Sequence, residues 1–380
     1  MFSSNKAHLI RVLPTSTAMF FKEANYLVSN LMNAYQAIGI MSGSSLDGLD
    51  ICAATFQKGT KWGFQMDAFV AVPFPDDLYH QLLNCRSLSG ESLHRLDIQL
   101  GLWLGGQVVD FMNENRLNPV VIGSHGHTVF HQVDHHLSLQ IGNGHAIAEK
   151  TGVPVVADFR QQNVLLGGHG APLVPIGDIL LFEEYDAWIN IGGIANATIR
   201  TKKGFEAGDI VPANQVLNAL ANKLGFPFDE GGQFAQQGKL NRNWHNYLGS
   251  IDFFEKPFPK SISNEWVKKE LLDSLPETNP EDALFTYTSF MASQIAGILP
   301  EETKRALVTG GGALNTFLID QLKAERSEVD FEVPEEDLIQ SKEALVFAFM
   351  GLLRHQGEVN CLASYTGSNK DISAGVVYMP

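Results

Sequence analysis

The fold of this chain is decided by three extended stretches, QAIGIMS (36–42), GLDICAATFQ (48–57) and GFQMDAFVAV (63–72). Turn residues separate the stretches, which is typical of consecutive strands joined by short connections. The pattern predicts a β-meander near the start of the sequence.

Helices and strands alternate after the predicted meander. Apolar residues recur at helical spacing in PDDLYHQLLNCR (75–86) and in ESLHRLDIQLGLWLGGQVVDFMNEN (91–115). PVVIG (119–123) and PVVAD (154–158) are short, apolar and predicted to be buried strands. Three strands followed by helix, strand, helix and strand is a specific order, and it predicts an α/β unit.

A second run along the chain repeats this theme. DAWINIGG (186–193) and IANATIRT (194–201) are predicted to pair as strands, and ANQVLNALANKLG (213–225) to form a helix that ends at a glycine. The remaining predicted elements are a helical section (262–300), a strand (305–312), a helix (313–325), a helix with one apolar side (343–356) and a C-terminal strand (372–380).

The composition is that of an acidic globular protein. Of the 380 residues 44% are hydrophobic and 18% charged, and the formal net charge is −15. An acidic chain without a basic run is a poor partner for nucleic acid, because the phosphates would repel it. No apolar run approaches the ~20 residues that span a bilayer, so no membrane segment is predicted. The three cysteines, Cys52, Cys85 and Cys361, are widely separated, which favours a reducing compartment over a disulfide framework.

Residues 1–31 are interpreted separately from the fold. They carry some positive charge but have neither a clean apolar segment nor a convincing cleavage site, so no signal peptide is predicted. We interpret them as an N-terminal extension, or as the product of a start codon assigned too early.

Three glycine-rich turns follow predicted strands: GIMSGSSLDGLD (39–50), NIGGIAN (190–196) and VTGGGALN (308–315). Glycines leave backbone N–H groups open to a phosphate chain. Asp47 would repel phosphate by itself, but it can act on bound Mg²⁺ through a water molecule. Neither a P-loop nor a dinucleotide-binding motif is present. Three such turns in a two-part α/β chain resemble the superfamily of actin, hexokinase and heat-shock chaperones.

Longer strings narrow this resemblance to one family. From about Ile38 to the C-terminus, the chain resembles the anhydro-N-acetylmuramic acid kinases. The strings that carry the resemblance are IGIMSGSSLDGLD (38–50), IGSHGHTVFHQ (122–132), LQIGNGHAIAEKTGVPVVADFR (139–160), LLGGHGAPLVP (165–175), INIGGIAN (189–196), FDEGGQFAQQGKL (228–240), KPFPKS (256–261) and LVTGGGALN (307–315).

The resemblance implies a fold and an activity. The fold is a two-domain, actin-like (ribonuclease H-like) α/β ATPase fold with an interdomain cleft. Residues 32–157 are expected to form the first domain, to which 357–380 return, and residues 158–356 the second. The implied activity is ATP- and Mg²⁺-dependent conversion of a 1,6-anhydro amino sugar to its 6-phosphate, by a cytoplasmic homodimer without nucleic-acid or membrane partners.

The same resemblance assigns site residues. Those implied to bind ATP are Gly43, Ser44, Ser45, Leu46, Asp47, Gly48, Leu49, Asp50, Gly192, Gly193, Gly310, Gly311 and Gly312, with Asp47 also reaching Mg²⁺ through water. Those implied to contact the sugar are His125, His127, Gly168, Asp209 and Asn214.

The catalytic base is the point at which the chain departs from the family pattern. The reaction needs a base for the water that opens the anhydro bridge. Asn163 occupies the position at which the family has an aspartate, and an amide cannot accept a proton at neutral pH. Asp158 is the alternative base. Two further departures are Asn143, in place of a common aspartate, and the string DIVPAN (209–214), which lacks two glycines.

Other functions remain as alternatives. The chain can be a silent or weakened homologue that keeps both ligand sites without its base. An actin-like chaperone or filament protein would have no use for the SHGHT and HGAPLVP strings. His125, His127, His131, His135 and His136 lie within twelve residues, but no Cys or Glu completes a familiar zinc pattern.

Overall fold

A computed structural model of the chain describes residues 34–43, 46 and 48–380. Their contacts divide them into two compact units: the first runs to Leu181 and resumes at Ser341–Pro380, and the second is Phe182–Gln340. The predicted site residues Ser44, Ser45 and Asp47, and the extension 1–31, lie outside the described residues.

The strands and helices of the described residues are numbered here in chain order. The strands are β1 (Ala34–Met41), β2 (Leu49–Lys58), β3 (Trp62–Val72), β4 (Val121–Ser124), β5 (His127–Gln132), β6 (Leu137–Ile141), β7 (Val155–Ala157), β8 (Ala187–Ile191), β9 (Ile194–Thr201), β10 (Gly204–Pro212), β11 (Arg305–Thr309), β12 (Asp330–Glu332) and β13 (Val376–Tyr378). The helices are α1 (Asp76–Leu83), α2 (Gly90–Asn115), α3 (Gly144–Thr151), α4 (Gln161–Leu165), α5 (Pro175–Leu181), α6 (Asn214–Asn222), α7 (Arg242–Gly249), α8 (Asp252–Glu255), α9 (Asn264–Glu270), α10 (Pro280–Gly297), α11 (Thr316–Glu325), α12 (Glu336–His355) and α13 (Ala363–Thr366).

The first unit contains a six-stranded sheet in the order β13-β7-β4-β1-β2-β3. Strands β1, β2 and β3 form the predicted antiparallel meander, while β4 and β7 run parallel to β1. The predicted C-terminal strand is confirmed as β13, which pairs antiparallel with β7. A separate hairpin of β5 and β6, which the sequence did not predict, follows β4.

Helix α12 packs directly on the centre of this sheet. A Cβ at Gly39 of β1 would overlap the carbonyl oxygen of Ala344, and a Cβ at Gly123 of β4 would overlap that of Phe347. Both positions therefore need glycine for the helix to approach the strands. The opposite face of the sheet packs on α2, through buried residues such as Ile38 and Leu100.

The second unit contains a five-stranded sheet in the order β10-β9-β8-β11-β12. Strands β8, β9 and β10 form an antiparallel meander, and β11 and β12 run parallel to β8. The helical section predicted over 262–300 is divided into α9, a short 3₁₀ turn (Leu272–Ser274) and α10. One core cluster, which includes Ile189, Leu220 and Tyr287, fills this unit.

In each unit, the first strand of the meander pairs with a parallel strand, and that strand pairs with a second parallel strand on its other side. This is the strand order of the ribonuclease H-like fold on which actin-like ATPases are built, so the predicted fold class is confirmed. No helix within the described ranges is long and apolar enough to cross a membrane.

The contacts divide the chain at other positions than the predicted boundaries. Segments 158–181 and 341–356, predicted to lie in the second domain, make their contacts within the first unit. The reason is local packing. A Cβ at Gly177 would overlap the side chain of Val346, and Lys342 pairs with the Asp178 carboxylate at 2.6 Å.

Candidate active site

Two predicted glycine turns meet in the second unit. Strands β8 and β11 run parallel with Asn190 opposite Thr309, so the turns that follow them, at Gly192–Gly193 and at Gly310–Gly312, lie side by side. Gly310 has a φ of +81°, and a Cβ there would come within 2.6 Å of the Asn190 side-chain oxygen. Glycine is therefore required at position 310 by both backbone conformation and space.

The first residues of α6 lie beside the same two turns. The Asn214 N–H donates to the carbonyl oxygen of Gly192 at 3.1 Å, and the Ala213 N–H donates to that of Gly193 at 2.8 Å. A Cβ at Gly311 would meet nothing closer than the Asn214 amide nitrogen at 3.9 Å. The structure thus brings the predicted residues Asn214, Gly192, Gly193 and Gly311 together, with open space at Gly311.

Asp209 and Asn214 were both predicted to contact the sugar, but the Asp209 side chain bonds to residues 261 and 262 and not to the glycine turns. Its carboxylate accepts hydrogen bonds from the Ile262 N–H at 2.8 Å and from the Ser261 hydroxyl at 3.4 Å. Burial raises the pKa of Asp209, and these two hydrogen bonds oppose the shift. Asp209 therefore links the 260–262 segment by hydrogen bonds to the bulge in β10.

The predicted phosphate turn of the first unit follows β1. The Leu46 N–H donates to the Gly43 carbonyl oxygen at 3.3 Å, and Leu46 has a φ of +60°. Gly48 has a φ of +142°, and a Cβ there would approach the Val72 carbonyl oxygen to 2.6 Å. Leu49 is fully buried in the core, so only its backbone can face a ligand, and Asp50 is partly exposed in β2.

A cavity of about 500 Å³ lies within the first unit. Residues from the start of α2, the 125–126 loop, β6, the start of α3, the end of β7 and the C-terminal strand line it. The polar residues among them include Asp97, Gln140, Asp158 and Tyr378. A concave site with a few convergent polar groups is the usual form of a small-molecule site.

Asp97 and Asn143 form a complementary pair in the wall of this cavity. The Asn143 amide donates to one Asp97 oxygen at 2.8 Å, and the Gly142 N–H donates to the other at 2.9 Å. A second carboxylate at position 143 would repel Asp97, whereas the amide supplies a donor. The side chain of Asn143 also caps α3 by accepting from the Ala146 N–H at 3.1 Å.

Asp158, the alternative base, lines the cavity directly after β7. Its φ of +57° places a non-glycine residue in the left-handed region, a strained conformation that is common at functional sites. Burial raises the pKa of its carboxyl group, and a hydrogen bond from the Gln161 backbone works in the opposite direction. Burial and the nearby charges of Asp158 and Asp97 also raise the pKa of Tyr378.

Asn163, at the family's base position, has 0% exposure and does not line the cavity. Its Oδ1 accepts from the Gly170 N–H at 2.8 Å, and its Nδ2 donates to the Thr366 hydroxyl at 2.9 Å. Gly168, predicted to contact the sugar, lies against this amide, because a Cβ there would overlap Asn163 Oδ1. Both ends of the Asn163 side chain are therefore engaged inside the protein.

The two predicted sugar-binding histidines also differ. His125 lines the cavity, but its Nδ1–H donates to the Gly126 carbonyl oxygen at 2.8 Å and its Nε2 accepts from Arg160 Nη2 at 2.8 Å. Burial and the Arg160 charge lower the pKa of His125 to about 3, so the ring is neutral and offers its face rather than a nitrogen. His127 is buried beside Gly43, and burial lowers its pKa as well.

The family model described as anhydro-N-acetylmuramic acid kinase matches residues 35–380. The chain belongs to this family. It is 31% identical over 369 residues to the anhydro-N-acetylmuramic acid kinase of Sulfurovum sp., covering 92% of this chain and 100% of the relative. It is also 31% identical to that of Pasteurella multocida, over 90% of this chain and 96% of the relative.

The histidine run does not assemble a metal site in this family member. No group of three or more His, Cys, Asp or Glu side chains among residues 34–43, 46 and 48–380 is arranged to hold a metal ion. His125 is bound to Gly126 and Arg160, and His131 Nδ1 lies 3.0 Å from the Ser138 hydroxyl. These ring nitrogens serve hydrogen bonds within the protein.

Several site residues were not found from the sequence. Asp97 lies inside the long amphipathic α2 and Tyr378 in the last strand, and neither belongs to a recognisable motif. Gln140 lies in β6, inside the string 139–160 that resembles the family, but nothing in that string marks it as a site residue. Arg160 stands in the quoted string ending in DFR, but nothing in that string predicts its bond to His125. These side chains converge only because β6, β7 and β13 are brought together by tertiary structure.

Proposed function

We propose that the protein is an ATP-dependent kinase acting on anhydro-N-acetylmuramic acid. It opens the 1,6-anhydro bridge with water and phosphorylates the 6-oxygen, giving N-acetylmuramic acid 6-phosphate in peptidoglycan recycling. The observation that carries the proposal is the family match, which runs from residue 35 to residue 380 and so includes the sheets of both units.

The cavity of the first unit is the proposed sugar site, and Asp158 the proposed general base. In the reaction, a water oxygen bonds to the anomeric carbon, and the bond from that carbon to the 6-oxygen breaks. The 6-oxygen then bonds to the γ-phosphorus of ATP, the bond from that phosphorus to the β,γ-bridging oxygen breaks, and ADP leaves. The proton that the water loses passes to the Asp158 carboxylate. A raised pKa suits this role, because a base works best when its pKa lies near the working pH.

The glycine turns are the proposed nucleotide contacts. In the second unit, the Gly311 position has room for a ligand to approach, because a Cβ there would meet nothing closer than 3.9 Å. Gly192 and Gly193 form the neighbouring turn, where the Gln215 side chain lies 3.2 Å from the Cβ position of Gly193. In the first unit, Gly43 and Gly48 form the turn proposed to contact phosphate. These features fit ATP, because phosphate groups bind to exposed backbone N–H groups.

Mg²⁺, when bound, would neutralise charge on the transferring phosphoryl group. Asp47 is the residue proposed to hold it through water, and the hard carboxylate oxygen suits this cation.

We also propose that the protein works in the cytoplasm as a homodimer, as the family resemblance implies. The free thiols of Cys52, Cys85 and Cys361 are all buried, which is compatible with a reducing compartment.

The test is a turnover assay with the anhydro sugar, ATP and Mg²⁺ in water labelled with a heavy isotope of oxygen. We expect a phosphorylated sugar that carries the heavy oxygen at its anomeric carbon. ATP hydrolysis that leaves the sugar unchanged, or release of unphosphorylated sugar, would contradict the proposal.

A weakened homologue is the second candidate. The observation that favours it is the complete internal bonding of Asn163, which leaves no free group at the family's base position. This candidate, a weakened or silent homologue, predicts that the sugar and ATP bind but that product forms slowly or not at all in the turnover assay.

A further inference from the structure

Several buried polar side chains of the first unit have an atom that lacks a hydrogen-bond partner among the described residues, and three of them lie on neighbouring segments. The atoms are Ser42 Oγ, Ser124 Oγ and His127 Nδ1. The exposed fractions of these residues are 1%, 0% and 4%. Leaving a buried polar atom unsatisfied costs about 1–3 kcal/mol, so each calls for an explanation.

The three residues belong to one edge of the sheet. Ile40 of β1 lies opposite Ser124, the last residue of the parallel strand β4, and Ser42 follows Ile40 by two positions. The His127 ring hydrogen-bonds to the backbone of Gly43, the neighbour of Ser42. This is the carboxyl edge of parallel strands, where open α/β sheets bind their ligands.

The chemistry of the three groups is specific. Two hydroxyls and a neutral imidazole can each donate or accept a hydrogen bond, but none carries a charge. Because Nδ1 has no partner, the ring must bond to the Gly43 backbone through Nε2. If Nε2 carries the hydrogen of the neutral ring, Nδ1 is a free acceptor. Such a set lacks the carboxylates that a hard cation requires. It fits a neutral group that both donates and accepts, which is a hydroxyl.

We propose that Ser42, Ser124 and His127 form a subsite for one hydroxyl group of the reacting molecules, beside the Gly43 turn. The inference rests on the proposed function. The anhydro sugar has a single free hydroxyl, on its fourth carbon, and the reaction consumes one water. Either O–H group can donate to His127 Nδ1 while accepting from a serine hydroxyl.

The experiment compares Ser124→Ala, and the double variant Ser42→Ala/Ser124→Ala, with wild type. The control is Thr288→Val, because the Thr288 hydroxyl is another buried group without a hydrogen-bond partner among the described residues and lies in α10 of the second unit. Sugar affinity is measured by calorimetry without nucleotide, and kcat with saturating ATP. Circular dichroism verifies that each variant is folded.

If the sugar hydroxyl occupies the subsite, we expect the sugar Kd to rise about 2- to 10-fold for each hydroxyl removed, given the net value of a hydrogen bond. If the attacking water occupies it, kcat falls by a similar factor and Kd stays constant. The Thr288→Val variant changes neither quantity.

A folded double variant with wild-type Kd and kcat would overturn the subsite, even if it were less stable, because the hydroxyls would then hold a structural water only. A wild-type protein that binds the sugar without turnover would contradict the proposed function, and its Kd values would still decide the subsite. A wild-type protein that neither binds nor converts the sugar would overturn both.

Discussion

The side-chain amide of Asn163 donates a hydrogen bond to the hydroxyl of Thr366 over 2.9 Å, although the two residues are 203 positions apart in the chain. The Thr366 hydroxyl donates its hydrogen to the Leu362 carbonyl oxygen at 2.8 Å, so it accepts the hydrogen bond from Asn163. The other end of the amide accepts from the Gly170 N–H. An amide meets both demands, whereas a carboxylate has no hydrogen to donate.

Asn163→Asp should therefore destabilise the protein. It replaces a donor with a charged oxygen opposite an acceptor, in a fully buried position, and should lower the free energy of unfolding by about 1–3 kcal/mol at neutral pH. Chemical denaturation measures this, with Asn246→Asp at an exposed position as the control. A gain in turnover of about 10²-fold or more would instead restore position 163 as the catalytic base.

Asp158→Asn should lower kcat by about 10²–10⁴, the usual contribution of a general base, with little change in sugar affinity. In wild type, the rate should fall as the pH drops through the raised pKa of Asp158, because the base must be ionised. An unchanged kcat in the folded Asp158→Asn variant would remove Asp158 from catalysis.

The same substitution should raise stability. Burial lifts the folded-state pKa of Asp158 above its unfolded value, so the folded state holds the proton more tightly and loses stability as the pH rises through the interval between the two values. Asparagine avoids that cost and tolerates the left-handed backbone at φ +57°. We expect the melting temperature of Asp158→Asn to exceed that of wild type at neutral pH, and a lower value would contradict the burial effect.

Gly311→Ala should separate nucleotide binding from folding. The added Cβ meets nothing closer than 3.9 Å, so the melting temperature should remain close to that of wild type, while the methyl group obstructs the proposed approach of a phosphate. We expect ATP affinity, measured by calorimetry, to fall about 10-fold, equivalent to ~1.4 kcal/mol. Gly106→Ala, where a Cβ also meets nothing within 4 Å, is the control, and equal ATP affinity in both variants would exclude Gly311 from the site.

Lys342→Met should be strongly destabilising. Lys342 and Asp178 pair at 2.6 Å with side-chain exposures of 6% each, and removing the cation leaves a carboxylate inside the protein. Breaking a buried pair from one side typically costs about 3–5 kcal/mol, which denaturant unfolding resolves easily. The exposed pair of Arg95 and Glu91 provides the comparison, since Arg95→Met should cost less than about 1 kcal/mol. Similar losses for the two variants would show that the buried pair has no special role.

The sequence by itself determined the class of fold and the family. Strand and helix patterns depend on near neighbours, so the meander of β1, β2 and β3 and the C-terminal strand β13 could be predicted from residue spacing. The glycine turns could be found because glycines cluster directly after apolar strands in the sequence. The close approach of Asn190 to Gly310 and of Val72 to Gly48, by contrast, is tertiary.

Tertiary structure alone decided which side chains meet. Nothing near Asn163 in sequence indicates that Thr366 and Gly170 will engage its amide, and nothing near Asp158 indicates that Gln140 and Tyr378 will line the same cavity. The division of the chain at Leu181 and Ser341 could not be predicted from the sequence either, because it depends on contacts between distant segments. Hydrogen bonds and packing contacts between distant segments depend on the order and register of the strands. A pattern of neighbouring residues does not contain that information.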